Sequence, residues 1–334
     1  MDRAFHRKPG TSAERSEFYE RLNGCSAAPL WEVLGDIVRS EPRTACLPAL
    51  WRYEELRPLV LESGRIITAR EAERRVLILE NPGLRGQSRI TQSLYAGLQL
   101  VLPGETAPSH RHTASAFRFI LEGDGGYTTV DGDRIAMHPG DLIVTPSWTY
   151  HDHGNPSDRP VVWLDGLDIP TVNHFDTSFA GHPPEETQPD MRPKPNARLS
   201  YPYARSREAL ETLHRHGSVD ACRGVKMQYV NPATGKSPVP TMGAFLQLLP
   251  AGFRGSAYRS TDARVFCCVE GRGRARVDGR ALEWSRHDLF VVPSWCPVAL
   301  ESDEEAVLFS FSDRPAQQAL GIWREESPLA KQGT

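Results

Sequence analysis

The order of apolar and polar positions divides the chain into a helical beginning and a longer β-rich remainder. Residues 11 to about 75 carry helix signals, including capping boxes at Thr11 with Glu14 and at Thr68 with Glu71. Beyond this segment the apolar residues come in short runs, separated by Gly, Pro and Asp turn signals at intervals of roughly 8 to 12 residues. The pattern predicts an N-terminal helical arm followed by an all-β sandwich or barrel.

The β-rich part occurs twice. A Pro-rich polar stretch at about 176–205 and a short helix at about 206–216 separate two blocks of similar sequence. FILEGDGGYTTVDGDRIAMHPGDLIVTPSW and CCVEGRGRARVDGRALEWSRHDLFVVPSW share the frames E-G-x-G, V-D-G, D-L and V-x-P-S-W, 147 to 148 residues apart. An internal duplication explains this agreement and predicts two related β-barrels in tandem.

The length of 334 residues and the mass of 37.2 kDa suit two domains with connecting segments. We predict four regions. They are a helical arm (1–75), a first barrel (76–175), a Pro-rich linker with a short helix (176–220) and a second barrel with a C-terminal tail (221–334).

Composition argues against several kinds of partner. A hydrophobic content of 39%, a charged content of 24% and a mean hydropathy of -0.44 are ordinary for a globular protein. The net charge of -3 and the pI of about 6.4 provide no basic field for nucleic acid. Since no apolar run approaches the roughly 20 residues that span a bilayer, we expect a cytoplasmic protein with no membrane partner. The six cysteines form no C-x-x-C pair, which predicts reduced, mostly buried thiols.

Three histidines in the first block have the spacing of metal ligands. His110 and His112 are two residues apart in a strand-like segment, so both imidazoles face the same side of the sheet. His151 follows some forty residues later and would complete a three-point cap, leaving open positions on the metal. A lone H-x-H would be weak evidence, because strand histidines are often ordinary polar residues.

The spacing around these histidines strengthens the metal hypothesis. The frames G-x5-H-x-H, beginning at Gly104, and G-x5-P-x4-H-x3-N, beginning at Gly140, resemble the two-part cupin signature. Many cupins carry an acidic ligand four residues after H-x-H, but the residues following His112 here are Thr-Ala-Ser-Ala. The expected fold is therefore two tandem cupin barrels, also called jelly rolls or double-stranded β-helices, with a neutral three-histidine centre in the first.

The runs LYAGLQLVLPGETAPSHRHTASAFRFILEG, PGDLIVTPSWTYHDHGN and VVWLDGLD closely resemble gentisate 1,2-dioxygenases and their relatives that act on salicylate and 1-hydroxy-2-naphthoate. The resemblance covers nearly the whole chain. It implies one Fe(II) per chain in the N-terminal cupin, bound by the three histidines, and a substrate held through its carboxylate and adjacent phenolic oxygen. With O2 the ring would open between the carbons bearing those groups, and gentisate would give maleylpyruvate. A homo-oligomer, tetramer or dimer, is expected.

Two arginines are candidates for binding the substrate carboxylate. Arg118 lies six residues beyond His112 and shares its inward face if the strand continues, so its guanidinium could bind a carboxylate. The alternative is a purely structural salt bridge of Arg118 at the rim of the barrel. Arg74 corresponds to a second carboxylate-contacting arginine of the family, although Arg75 is adjacent and either could be a surface charge.

Two further polar residues are candidates for catalysis. His153 lies two residues after His151 and faces the same cavity, and the resemblance implies proton transfer there. The alternative is a purely hydrogen-bonding role. Asp165 resembles a pocket aspartate of the family, which can orient a histidine or accept from a ring hydroxyl. Asp168 is expected to lie outside the pocket.

Tyr95, Gly97 and Gln99 share strand parity and should line the pocket wall. Glycine would leave room for a ring near the backbone, and tyrosine offers a hydroxyl to a second ring substituent. Within the family a tyrosine here accompanies gentisate enzymes, so it favours gentisate. Trp148 and Trp163 are interpreted as core aromatics.

The second barrel has lost the ligands. Alignment of the shared frames places Tyr258, Ser260 and Val298 where the three histidines stand, with Phe266 and Leu300 at the positions of Arg118 and His153. We expect this barrel to be metal-free and structural, covering the first barrel or building an oligomer interface.

Other functions stay open at this point. Within the family, salicylate, a 5-substituted salicylate or 1-hydroxy-2-naphthoate could replace gentisate. More distantly, three histidines with open positions also describe a zinc or manganese cupin hydrolase or isomerase. A non-enzymatic binding bicupin would need no open metal site, which the intact first site disfavours.

Overall fold

The computed structural model describes residues 13–183 and 200–327. Thr11 of the first predicted capping box lies outside this range. The second box is present, with Thr68 and Glu71 making both of its hydrogen bonds. No helix in the described ranges is both long and apolar enough to cross a bilayer. All six cysteines are free thiols and four are buried, which confirms that prediction.

The chain divides into two compact units, one ending at Arg43 and the other beginning at Thr44. The first unit contains two helices whose side chains meet, since the Trp31 indole N–H donates to the Tyr19 hydroxyl at 2.8 Å. The helices of the N-terminal part are α1 (Ala13–Gly24), α2 (Leu30–Ile37), α3 (Tyr53–Ile66) and α4 (Ala69–Ala72).

The first barrel consists of two facing sheets. Its own strands are β2 (Val76–Ile78), β3 (Tyr95–Val101), β4 (Thr106–His112), β5 (Ala116–Glu122), β6 (Tyr127–Val130), β7 (Asp133–Ala136), β8 (Leu142–Thr145), β9 (His151–Gly154) and β10 (Val161–Leu167), with a 3-10 turn at Pro82–Leu84. The connection that follows contains α5 (Ile169–His174), β11 (Ala180–Gly181), β12 (Ser200–Tyr201) and α6 (Tyr203–His216). The six-stranded sheet has the order β12-β8-β5-β10-β3-β2, and the five-stranded sheet has the order β11-β4-β9-β6-β7.

The second barrel repeats this plan, which confirms the predicted duplication. Its elements are β13 (Val225–Gln228), β14 (Gly243–Leu249), β15 (Phe253–Arg254), β16 (Arg259–Ser260), β17 (Arg264–Glu270), β18 (Arg272–Val277), β19 (Arg280–Ser285), β20 (Leu289–Val292), β21 (Val298–Ser302), β22 (Ala306–Ser312), α7 (Arg314–Ala319) and β23 (Glu325–Glu326), joined by β1 (Ala49–Trp51) from the N-terminal part. The sheets have the orders β1-β20-β17-β22-β14-β13 and β15-β21-β18-β19, and β16 pairs with β23.

The two barrels exchange edge strands. The segment before the first barrel adds a strand to the second barrel, and the segment before the second barrel adds a strand to the first. β1 (Ala49–Trp51) pairs with β20 of the second barrel, and β12 pairs with β8 of the first. The helix after each strand begins with matching contacts, because the Tyr53 and Tyr203 backbone N–H groups both donate at 2.8 Å, to Asp288 and Asp141 respectively. The prediction of helix is therefore wrong at β1, and the duplication includes elements that the sequence placed in the arm and the linker.

The two barrels share a core. The Phe119 and Phe309 rings stack with their centroids 4.1 Å apart, and the large sheets of both barrels contribute to one continuous apolar cluster. Burial of these apolar side chains stabilises the packing of the two barrels against each other. As expected, the second barrel covers the first, and it does so on the face of the large six-stranded sheet.

The interior of the first barrel changes from apolar to polar along each strand. On β5 the inward residues run from Ile120 through Arg118 to Ala116, all buried. On β10 they run from Trp163 through Asp165 to Leu167. Because alternate residues share a face, one apolar layer closes the barrel, a polar layer follows, and small or apolar residues surround the mouth.

Candidate metal centre and substrate pocket

Three histidines meet in the first barrel. His110 and His112 end β4 on the same face, and His151 begins β9 directly opposite His110. Their ring centroids lie 4.1 to 5.1 Å apart, and the possible ligand atoms all lie within 4.8 Å of one another. Strand pairing therefore brings together the residues that the sequence predicted as metal ligands.

Hydrogen bonds determine which ring nitrogen of His112 and of His151 is free to bind a metal. Nδ1 of His112 lies 2.7 Å from the Ala114 carbonyl, and Nδ1 of His151 lies 3.0 Å from the Thr149 carbonyl. Because a carbonyl only accepts, each Nδ1 carries the proton and Nε2 keeps its lone pair. Burial lowers the pKa of His112 to about 4 and that of His151 well below its usual range. Both rings are therefore neutral at pH 7, as ligation requires.

This donor set fits a divalent transition metal. The His151 Nε2 is buried and has no hydrogen-bond partner among the described residues, a costly state that a metal bond would relieve. Three imidazoles on one side leave the opposite side for exogenous ligands, as in catalytic rather than structural sites. The structure therefore contains three histidines placed so that they could hold a metal ion.

Arg74 approaches the histidines from the segment between α4 and β2. It follows Glu73, whose φ of 53° is unusual for a residue with a side chain. The Arg74 guanidinium donates to the Pro108 carbonyl at 2.6 Å and contacts the His110 ring. Burial lowers the pKa of Arg74 to about 10, and the charge of Arg118 adds to the effect. Arg74 thus places a second positive charge beside the metal site.

The neighbouring Arg75 has a different environment. Its guanidinium is buried and bonds the Glu105 carboxylate and the carbonyls of Ile67 and Leu100. These contacts make Arg75 part of a structural ion pair with Glu105, although its Nε has no hydrogen-bond partner among the described residues. Of the two adjacent arginines, only Arg74 contacts the histidine cluster.

Arg118 is held by two polar neighbours inside the barrel. It pairs with Asp165 across the sheet, with Nε 3.9 Å from the carboxylate, and its Nη1 donates to the Thr145 hydroxyl. The Trp163 indole N–H donates to Asp165 at 2.8 Å. Burial raises the pKa of Asp165 to about 6, and the charge of Arg118 partly opposes that rise. The Arg118 Nε has no hydrogen-bond partner among the described residues, so the guanidinium retains donor capacity.

Thr145 was not identified from the sequence, and Trp163 was interpreted only as a core aromatic. Trp163 is indeed buried, yet it also fixes the Asp165 carboxylate. Its i, i+2 parity with Asp165 was the available signal. Asp168, expected outside the pocket, accepts from the Ser115 backbone at 2.7 Å and from the Thr241 hydroxyl, so it links the two barrels.

His153 lies deeper in the barrel than His151, with their ring centroids 5.8 Å apart. It is 1% exposed, and neither ring nitrogen has a hydrogen-bond partner among the described residues. Burial lowers its pKa well below the usual range, with a further contribution from Arg118. The neutral ring therefore has both a free donor and a free acceptor facing the polar layer. Asp165 makes no hydrogen bond to this ring, since neither His153 nitrogen has a partner among the described residues.

Tyr95, Gly97 and Gln99 all lie on β3 beside β10. The Gln99 side-chain nitrogen is buried without a partner among the described residues, and burial next to Asp165 raises the pKa of Tyr95. A Cβ on Gly97 would lie 2.4 Å from Val76 Cγ1 and 3.2 Å from the Tyr95 hydroxyl oxygen. The room expected at Gly97 is thus filled by these two side chains.

This packing leads to a prediction about stability. Gly97→Ala should overpack against Val76 and lower the free energy of unfolding by about 1–3 kcal/mol. Val76→Ala should relieve the clash, so urea denaturation of the two single variants and the double variant should give a favourable coupling of roughly 1 kcal/mol. Additive effects of the two substitutions would contradict this packing.

The corresponding positions of the second barrel contain no metal ligands. Tyr258 forms a bridge with Val298 just as His110 pairs with His151, which confirms the alignment of the two barrels. Ser260 is buried beside them. The only group of three or more potential metal ligands within the described ranges is the one in the first barrel.

Trp148 is 41% exposed, so its interpretation as a core aromatic is wrong. It stands at a turn with φ of 63°, and the Arg111 guanidinium lies 4.2 Å from its ring centroid. The backbone of this turn holds the Trp148 side chain at the surface, where the Arg111 guanidinium packs against its ring.

Comparison with known proteins agrees with this architecture. The cupin domain model matches residues 97–167, which include all three histidines. Gentisate 1,2 dioxygenase 1 of Aquipseudomonas alcaligenes is 50% identical, covering 96% of this chain and 99% of its own. The 5-aminosalicylate 1,2-dioxygenase of Comamonas sp. is 35% identical over 93% and 90%. The crystal structure of salicylate 1,2-dioxygenase from Pseudoaminobacter salicylatoxidans, an adduct with gentisate, superposes with a TM-score of 0.88 at 33% identity, covering 96% and 95%.

Two cupin barrels with a three-histidine centre and buried arginines beside it define a metal-dependent bicupin enzyme. The identity over nearly the full chain makes the assignment more specific. The chain belongs to the gentisate 1,2-dioxygenase family of ring-cleaving dioxygenases.

Proposed function

We propose that this protein uses O2 to open gentisate between its carboxyl-bearing and hydroxyl-bearing carbons, giving maleylpyruvate, with one Fe(II) bound by His110, His112 and His151. The observation that carries the proposal is the buried Arg118 guanidinium beside the three-histidine site, in a chain 50% identical to a gentisate dioxygenase. A ferrous ion in this site would supply dioxygen activation and chelation of the substrate's carboxylate and phenolic oxygen. The second barrel would remain free of metal.

The two guanidinium groups would bind the substrate carboxylate. Arg118 is fixed by Thr145 and Asp165 and keeps an unpartnered N–H, and Arg74 lies on the opposite side of the polar layer beside His110. Burial and the like charge of Arg118 lower the pKa of Arg74, a cost that an incoming carboxylate relieves. Because guanidinium groups are planar and charged, Arg74 and Arg118 would also fix the direction in which the carboxylate of an aromatic acid points.

His153 would accept the phenolic proton. Its ring is neutral, buried and free of protein partners, so the unprotonated nitrogen can take the proton when the phenol ionises. The positive charges of Arg118 and Arg74 oppose the imidazolium, which favours return of that proton to the product. The apolar layer beneath, which includes Trp163, keeps bulk water from the same position.

Asp165 and Tyr95 would face the remainder of the ring. The Tyr95 hydroxyl lies near Gly97 at the mouth, and the Asp165 charge acts on it. Two adjacent groups of this kind can hydrogen-bond the second hydroxyl of gentisate, which salicylate lacks. A site built for such a hydroxyl discriminates against analogues without it.

A substitution at Arg118 tests the carboxylate role. Arg118→Leu in an Asp165→Asn background should raise KM for gentisate about 10- to 100-fold relative to Asp165→Asn alone, since a charge-assisted hydrogen bond is worth about 1.5–3 kcal/mol. The background variant prevents an unpaired buried carboxylate from confounding stability. Metal content should not change. An unaltered KM with iron retained would exclude Arg118 from substrate binding.

The substrate proposal is tested by a panel. After anaerobic reconstitution with ferrous iron, oxygen uptake and ultraviolet product absorbance are measured with gentisate, salicylate, 5-aminosalicylate and 1-hydroxy-2-naphthoate. We expect the highest kcat/KM for gentisate. A higher value for any of the other three would reassign the substrate within the family, and turnover of none of them would contradict ring cleavage of salicylate-type acids.

A further inference from the structure

The mouth of the second barrel has become cationic where that of the first is apolar. The strand registers equate Arg264 with Ala116 and Lys226 with Val76, because each pair has equivalent partners across the sheet. Gln99 of the first barrel is matched by Gln247. The second barrel therefore retains the pocket position but lines it with positive charge in place of metal ligands.

Arg264 is the most unusual of these residues. It is 3% exposed, and none of its three guanidinium nitrogens has a hydrogen-bond partner among the described residues. Its Cζ lies 4.7 Å from the Tyr258 ring centroid, and Arg223 lies 4.3 Å from the same ring. The Tyr258 hydroxyl is also buried and unpartnered within the described ranges. A buried charge without acceptors is strongly unfavourable, so this group of donors requires a counter-ion or bound water.

A cleft of about 410 Å³ is lined by charged neighbours of Arg264, although not by Arg264 itself. Arg223, Lys226 and Arg314 line it, and Lys226 Nζ lies 4.2 Å from the Phe245 ring centroid. Burial and the charge of Arg264 lower the pKa of Lys226 to about 7. Cationic groups crowded in this way lose stability unless an anion lies among them.

The acidic groups nearby do not neutralise the cluster. Glu325 and Asp220 lie 2.5 and 3.8 Å from the Arg223 guanidinium, so both are directed at that residue. Asp262 is buried close to Arg264 and accepts from the Trp323 indole at 2.8 Å. These carboxylates leave all three guanidinium nitrogens of Arg264 without a hydrogen-bond partner among the described residues.

We propose that the second barrel binds a small oxyanion, a carboxylate or a phosphate, between Arg264, Lys226 and Arg223. Guanidinium groups match the planar geometry of such oxygens, and the Lys226 ammonium adds a point charge. The site is separate from the metal centre, because its residues belong to β13, β16 and β17 of the other barrel or to the segments beside them. It does not depend on which ring substrate the first barrel cleaves.

The test measures thermal unfolding of the full-length iron-loaded protein in chloride, inorganic phosphate and maleate at equal ionic strength. We expect phosphate, maleate or both to raise the Tm by about 2 °C or more over chloride. A response to phosphate alone would identify a phosphate site, and a response to maleate alone a carboxylate site. Isothermal titration with the active anion should give one site per chain.

Variants locate the effect. Arg264→Met should fold, with a Tm in chloride at least equal to that of the wild type, and should lose the anion response; Lys226→Met should weaken it. Arg280→Met removes an exposed arginine of the same barrel and should keep the response. Arg118→Met should also keep it. No response in the wild type, a full response in Arg264→Met, or its loss in Arg118→Met would overturn the proposal.

Discussion

Replacing His110 and His112 together by alanine is expected to abolish both metal binding and oxygen consumption. The double variant removes two of three imidazoles whose ligand atoms lie within 4.8 Å of one another. One remaining histidine cannot hold a divalent ion against water, and no carboxylate of the described residues belongs to this group of potential ligands. Metal analysis after anaerobic reconstitution should fall from one equivalent per chain to near zero.

The second barrel provides a matched control for this experiment. Tyr258→Phe with Ser260→Ala changes the two positions equivalent to His110 and His112, and metal content should remain at one equivalent. A folded His110→Ala/His112→Ala protein that kept stoichiometric iron would show that the metal lies elsewhere.

Replacing His153 by alanine is expected to reduce kcat by about 10²- to 10⁴-fold while iron content stays at one per chain. The reason is geometric. His153 faces the polar layer, but its ring centroid is 5.8 Å from that of His151, and it is absent from the group of potential ligands. Removing it deletes a proton acceptor without removing a metal bond. Added imidazole should restore part of the rate if the defect is proton transfer.

Two outcomes would change the assignment of His153. Loss of iron as complete as in His151→Ala would make it a ligand, and full kcat with full iron would make it a packing residue. His138→Ala is a suitable control, since His138 is an exposed histidine bonded to Asp124 at 2.6 Å. Its kcat should equal that of the wild type.

Strand parity made much of the pocket predictable. His110 and His112 needed only the alternation of faces along one strand. Arg118 does face the same interior, but it does so from β5 of the other sheet, so the assumption that one strand continues from His112 to Arg118 is wrong. His151 followed from the spacing of the frame around Gly140. These are local or periodic signals, which a single sequence contains.

The features that the sequence did not predict depend on contacts between distant parts of the chain. Nothing local to Ala49–Trp51 shows that it will pair with β20, some 240 residues away. The filling of the space at Gly97 by Val76 depends on the register of β2 against β3. The Thr145 contact to Arg118 depends in the same way on β8 lying beside β5. Registers between strands are set by tertiary packing, so their consequences could not be derived from spacing.

The fate of oxygen from ¹⁸O2 tests the central claim most directly. A ring-cleaving dioxygenase adds both atoms of one O2 as the bond between the two substituted carbons breaks, so gentisate turned over by the iron-loaded protein should consume one O2 per molecule. The ring-opened product should contain both labelled atoms at early times, before carbonyl exchange with water. Turnover without oxygen consumption, or a product whose new oxygen comes only from labelled water, would indicate hydrolytic metal chemistry and contradict the account.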